Sequence, residues 1–357
     1  MSVRNLLVVV SLGLSVAIGL ALGRGASSGP TDAAGPVVIG LSLDSLQEAR
    51  WQSDRDMFVA RAKELGAEVL VLAANGDDAV QIGDIEKLIT NQVSVLVVVP
   101  HDGVAMARAV RLAHDARIPL LAYDRLIRDS DLDLYVSFDN VKVGEQQARY
   151  LIDHLPTPGK GRIIRVYGGR TDNNASLVKE GQDRALAPYL ERGDITVLHE
   201  DWAENWTPEN AKKIVNAAIT AHGRQFDAVL SSNDGMAGGV VQALTEEGLA
   251  GKVLVTGQDA DVVALQRIAA GTQAMTIYKP LRTLARGAAE LAVRLGQRRV
   301  VTAAQTVNNG AVDVPSTLFP VVTVTKENIL STVVAEGLAT YDDVYRSVPE
   351  PARPPRP

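Results

Sequence analysis

Short apolar runs alternating with longer stretches of helical periodicity predict an α/β protein built on doubly wound parallel sheets. Within the runs apolar residues stand at consecutive positions, as strands covered on both faces require; a sheet with one wet face would alternate. Polar residues then gather just beyond the carboxyl ends of the runs, where open parallel sheets place their ligand crevice.

The first strand is VVIGLSL (37–43), followed by an amphipathic helix from Ala49 to Leu65. EVLVLAA (68–74), VSVLVVVP (93–100) and IPLLAYD (118–124) continue the series, with a helix from Asp77 to Asn91. LYVSFDN (134–140) follows its predecessor without a helix between them, and this break in rhythm marks a crossover between two lobes. GRIIRVYGG (161–169), ITVLHED (195–201), FDAVLSSND (226–234), KVLVTGQD (252–259) and TQAMTIYK (272–279) supply the remaining strands. Helices are expected from Thr207 to Ala221 and from Pro280 to Leu295, the latter opening with proline where no amide donor is needed.

The ends belong to neither lobe. A basic N-terminus precedes the uncharged run Leu6 to Leu22 and the triplet Ala21-Leu22-Gly23, the layout of a secretory signal over 1–23. The run also reaches the lower limit for a membrane span, so an uncleaved anchor is the alternative. Residues 24–36, rich in Gly, Ser, Ala and Pro, read as a linker. The 339–357 tail ends in PEPARPPRP, which reads as disordered. The body that remains, about 310 residues, suits two domains.

Composition excludes several chemistries. The 357 residues contain no cysteine, which removes disulfides, thiolate metal sites and cysteine nucleophiles. A formal charge of −6 argues against nucleic acid as a partner. There is no Gly-x-Gly-x-x-Gly after the first strand, no Walker loop and no Gly-x-Ser-x-Gly elbow. The five histidines stand singly and are expected at the surface, and Asp131-Leu132-Asp133 lacks the rest of a calcium loop, so no metal or cofactor is expected.

The polar residues beyond the strands are Asp124-Arg125, Asp139-Asn140, Asp172-Asn173-Asn174, Asn233-Asp234, Asp259 and Lys279. Any one of them could simply cap a helix, but six clusters from both halves of the chain favour a shared crevice. Cations Arg50, Arg125 and Lys279 set against Asp124, Asp172 and Asp259, with the amides of Asn174 and Asn233, make a near-neutral collection. That suits a polyhydroxyl ligand, whose hydroxyls donate to carboxylates and accept from cations. Of the three tryptophans, Trp51, Trp202 and Trp206, none lies inside a predicted core strand, and a flat ring can cover the C–H face of a sugar.

These segments resemble the periplasmic sugar-binding proteins of ribose type over almost the whole body, from Val37 to about Leu338. The likeness rests on ARWQSDRDMFV (49–59), ANGDD (74–78), LAYDRLI (121–127), VSFDNVKVGE (136–145), DNNA (172–175), ENWTPENA (204–211), SNDGMAGG (232–239), GQDAD (257–261) and RIAAGTQAMTIYKP (267–280). SNDGMAGG alone is only moderately specific, whereas the ordered set is highly so. The resemblance implies a type I periplasmic binding fold whose ligand is a monosaccharide, D-xylose foremost. It implies that Arg50, Arg125, Asp172, Asn174, Asn233, Asp259 and Lys279 hydrogen-bond the sugar, that Trp206 stacks on it, and that Trp51 lines the pocket, with Asp124 behind. It further implies crossings near 140–143, 277–280 and 307–310, giving an N-terminal lobe of 37–141 plus 280–308 and a C-terminal lobe of 142–279 plus 309–338. The implied role is a monomeric, exported, non-enzymatic receptor that delivers sugar to the permease of an ABC importer. A membrane-anchored sugar sensor, or a secreted carbohydrate-active enzyme, is the alternative. Residues Ser42 to Ala49 and both chain ends depart from the family pattern.

Overall fold

In the computed structural model the described residues are 35–47 and 49–356, so the expected signal or anchor, and the linker up to residue 34, lie outside them. Strands β1 (Val38–Leu43), β2 (Glu68–Ala73), β3 (Val95–Val98), β4 (Leu120–Tyr123) and β5 (Leu134–Phe138) form a sheet with β11 (Gln305–Asn308) and β12 (Asp313–Phe319). Its order is β11-β12-β5-β4-β3-β1-β2, parallel throughout except at β11. A second, wholly parallel sheet has the order β7-β6-β8-β9, from β6 (Gly161–Tyr167), β7 (Ile195–Trp202), β8 (Ala228–Ser231) and β9 (Leu254–Val255). Each sheet winds outward in both directions from its first strand, so each has a switch point, between β1 and β3 and between β6 and β8.

Consecutive strand residues point to opposite faces, and both faces are buried. On the larger sheet, Ile39, Leu41, Val95, Val97 and Leu121 pack with Phe58 and Ala62 of α1 (Ala49–Glu64) and with Leu284 and Ala288 of α9 (Leu281–Gly296). Leu96, Val98, Leu120 and Ala122 pack on the other face with α2 (Asp78–Thr90) and α3 (Ala107–Asp115). The smaller sheet is covered by α4 (Asn140–His154) and α5 (Asn173–Glu191) on one face and by α6 (Pro208–His222) and α7 (Asp234–Glu246) on the other. This double cover is why the strands read as continuous apolar runs. Helices α4 and α5 cross at Gly144 and Gly181: a Cβ on Gly144 would lie 1.9 Å from the Val178 carbonyl oxygen, and one on Gly181 1.9 Å from that of Val141.

The chain passes between the half built on the larger sheet and the rest of the molecule at 138–140, 278–281 and 319–322. The third passage corrects the expectation of one near 307–310. Asn308-Asn309-Gly310 is instead the turn of the β11–β12 hairpin: Gly310 has φ +102°, and the side-chain oxygens of Asn308 and Asn309 accept from the amides of Gly310, Ala311 and Val312. Residues 309–319 therefore belong with the larger sheet. β10 (Met275–Tyr278) also departs from expectation, because it pairs antiparallel with β13 (Val322–Thr325) rather than joining a parallel sheet. Around this pair, α8 (Val262–Ala270), Ile329, Val333 and α10 (Tyr341–Tyr345) form a small core. The tail is ordered against it, contrary to its composition: the Tyr341 hydroxyl donates to Pro354, the Arg353 Nε donates to Val348, and Arg356 pairs with Asp342.

Candidate functional site

All nine expected site residues line one cleft between the carboxyl ends of the two sheets, together with Asp124 and Gln258. Arg50 and Trp51 occupy the first turn of α1, and Asp124 and Arg125 follow β4 directly. From the other half come Asp172 and Asn174 at the start of α5, Trp206 before α6, Asn233 at the start of α7, and Gln258 and Asp259 after β9. Lys279 stands at the second of the three passages between the halves, only 1% exposed. The space between these side chains, part of it open to solvent, is about 380 Å³.

Two of the residues also cap helices. Asp172 accepts from the Asn174 amide through Oδ1, while its Oδ2 lies 3.1 Å from the Arg125 Nε. Asn233 accepts from the Met236 amide through Oδ1, which leaves its amide NH2 for the cleft. Capping and cleft lining are thus not alternatives here, since a helix N-terminus aimed at the cleft brings its cap residue with it.

Ion pairs bind the two halves together. Arg50 reaches Asp124 at 2.5 Å and Asp259 at 3.3 Å through its two terminal nitrogens. Asp259 also lies 3.4 Å from the Lys279 Nζ. Arg125 holds Asp44 at 2.7 Å and donates to the Pro100 carbonyl. Asn174 is committed to protein partners: its amide nitrogen donates to the Asp124 carbonyl and carboxylate, and its oxygen accepts from the Asn140 amide at 2.9 Å and from Tyr135. It is therefore a strut across the cleft as well as part of its wall.

The tryptophans differ in role. Trp51 is 3% exposed, with the Arg50 and Arg125 guanidiniums 4.5 and 5.4 Å from its ring centroid, so it is a platform that orients two cations. Trp206 lies against the bare backbone of Gly168 and Gly169, where a Cβ on Gly168 would come within 2.2 Å of the indole. The buried Trp206 Nε1 and Gln258 Oε1 have no hydrogen-bond partner among the described residues, as expected of groups that serve a ligand. Asp124, Trp206 and Asp259 all have positive φ (62°, 57° and 100°), which non-glycine residues adopt infrequently.

The structure alters the charge count. Asp44 and Asp54, absent from the sequence-based set, join Asp124, Asp172 and Asp259, so five carboxylates face three cations. Burial, the largest influence, pushes the Asp172 carboxyl above its ordinary value despite Arg125, and raises Asp54 to about 7 against the pull of Arg50. Burial acts upward on Asp124 too, but Arg50, Lys279 and Arg125 outweigh it and hold that group below the ordinary range. Gln258 was legible in principle, since it adjoins Asp259 in GQDAD; Asp54 lies one helical turn from Arg50, on the same face.

A family model described as a periplasmic binding protein domain matches residues 39–298. The chain is 48% identical over 301 residues to the D-xylose-binding periplasmic protein of Escherichia coli K12, covering 84% of this chain and 90% of that protein. It is 33% identical over 333 residues to the multiple sugar-binding periplasmic receptor ChvE of Rhizobium radiobacter, covering 88% and 94%. Among solved structures, a carbohydrate transporter solute binding protein from Chloroflexus aurantiacus in complex with D-glucose superposes with a TM-score of 0.79 at 32% identity, over 85% of this chain and 97% of that one.

Proposed function

Because this chain belongs to the family of periplasmic binding proteins, we propose that it is the receptor of an ABC sugar importer and that D-xylose is its ligand. The observation that carries this reading is the convergence of Arg50, Arg125, Asp172, Asn233, Asp259 and Lys279 from both halves on one cleft bordered by Trp206. Each cation there offers donors and each carboxylate offers acceptors, and a sugar hydroxyl can engage both. Charge-assisted bonds of this kind are worth about 1.5–3 kcal/mol each, so a few of them with one stacked ring can supply the roughly 8 kcal/mol of micromolar affinity. Neither half alone holds the full set. The sugar therefore stabilises the closed arrangement over an open one, with the three passages between the halves as the hinge.

The closed form then docks on the permease as a monomer. Its relatives are periplasmic, and the same compartment is proposed for this chain, with the N-terminal apolar segment as export signal or anchor. No step of this role needs bond chemistry: the acids that approach the ligand are paired with cations, as binding rather than acid catalysis requires. Calorimetry with D-xylose, L-arabinose, D-ribose, D-glucose and D-galactose tests the reading. D-xylose should bind most tightly, with no product formed on incubation. Absence of heat with all five sugars would overturn it.

A further inference from the structure

Behind Arg50 lies a group of polar atoms that the sugar-binding arrangement does not use. Asp54, one turn further along α1, is fully buried, and its nearest cationic atom is the Arg50 Nε at 3.8 Å, too far for a hydrogen bond. Neither of its carboxyl oxygens makes a hydrogen bond of normal geometry among the described residues, and the same holds for the Arg50 Nε; the hydroxyl of Tyr123 faces Asp54 from the end of β4, close enough for a weak hydrogen bond at most. The other charged groups around it come from separate elements: Asp124 after β4, Asp259 after β9 and Lys279 after β10. The terminal nitrogens of Arg50 meanwhile hold Asp124 and Asp259.

We infer that Asp54 is a positioning residue for Arg50, and that it takes up a proton as the cleft closes on the sugar, making sugar affinity depend on pH. This rests on the sugar-binding reading above. Asp54 and Arg50 belong to one half of the molecule and Asp259 to the other. Closure brings Asp259 to 3.3 Å from Arg50 and adds a negative charge to the surroundings of Asp54. The added charge disfavours a carboxylate at Asp54. In the closed arrangement, burial foremost raises its carboxyl to about 7, with Asp124 and Asp259 acting in the same direction and Arg50 and Lys279 against it. The proton comes from the buffer and gives Asp54 a donor for the Tyr123 oxygen. Arg50 is then free to be held by Asp124, Asp259 and the ligand.

A group that binds its proton more tightly in the closed state strengthens binding as pH falls. Affinity should be flat above about pH 8 and rise below about pH 7, by up to about tenfold per unit for one proton, until the open form is protonated too. The test is titration calorimetry of the full chain with D-xylose from pH 5.5 to 8.5, in pairs of buffers with different heats of ionisation. The expected result is binding at least threefold tighter at pH 6 than at pH 8, with net proton uptake near pH 7. Asp54→Asn, which mimics the protonated acid, should bind at pH 8 as the wild type does at pH 6, with no slope. Xylose binding by the wild type without proton uptake overturns the inference while leaving the sugar reading intact, and this decides the matter even if the variant does not fold. A pH slope retained in Asp54→Asn overturns it as well. Silence with every sugar would instead remove the sugar reading on which it rests.

Discussion

Gly168→Ala tests the stacking role of Trp206 without touching the ligand. A Cβ at this position would lie 2.2, 2.3 and 2.4 Å from three atoms of the six-membered indole ring. Carbon atoms in contact need about 3.5 Å, so the ring must retreat by roughly 1.3 Å, toward the space the sugar would occupy or away from a stacked position. A sugar C–H face of about 50 Å² covered by the ring contributes about 1.3 kcal/mol, using about 25 cal/mol per Å². With a further ~0.7 kcal/mol from the specific ring contact, the loss is about 2 kcal/mol, or roughly thirtyfold in the dissociation constant. Calorimetry with D-xylose reads this directly, with thermal unfolding as the control for global damage. Trp206→Ala should weaken binding to a similar degree, and adding Gly168→Ala to it should cost little more. Binding by Gly168→Ala within threefold of the wild type would refute the reasoning, as would an undiminished effect in the Trp206→Ala background.

Asp259→Ala removes a partner from both Arg50 and Lys279, and should weaken xylose binding by roughly tenfold or more in calorimetry, with the fold intact by circular dichroism. Gly144→Ala sets a methyl against the Val178 carbonyl at the α4–α5 crossing; urea unfolding should show a loss of at least about 2 kcal/mol, because two backbones must separate to admit it. Asp124 should contribute to acid sensitivity. Its folded carboxyl is held below the unfolded value of about 3.9, so its contribution is present above that pH and lost as pH falls through the folded value. Asp124→Asn should therefore be less stable than the wild type at pH 7, and the difference should shrink in unfolding measured between pH 5 and pH 2.

The fold class was legible because both faces of each parallel sheet are covered, which writes itself into the strands as unbroken apolar runs such as VSVLVVVP. Strand-end residues such as Arg125, Asp172 and Asn233 were legible for a related reason: parallel strands all deliver their carboxyl ends to the same edge. What local pattern does not carry is pairing over long distance. The β11–β12 hairpin looked like a crossing because Asn308-Asn309-Gly310 marks a turn without saying which sheet receives its arms. Asp54 was hidden for another reason: in SDRD a carboxylate on a helix reads as solvated, and only the packing of α9 and β4 around α1 buries it. The tail shows the converse, a Pro-rich composition overruled by a few hydrogen bonds to backbone carbonyls.

The pairing of β12 with β5 has a consequence for synthesis on the ribosome. Tyr135 lies opposite Ser316, so a large part of the chain must be made before the partner arrives. Until then β5 is a bare edge, with its outer amides and carbonyls free to template the wrong strand. The N-terminal sheet is the first to be started and the last to be completed, since the second sheet draws its strands from one uninterrupted stretch between β6 and β9. The smaller sheet can therefore assemble while the larger one waits, and nascent chains halted before residue 313 should be the ones that need a chaperone.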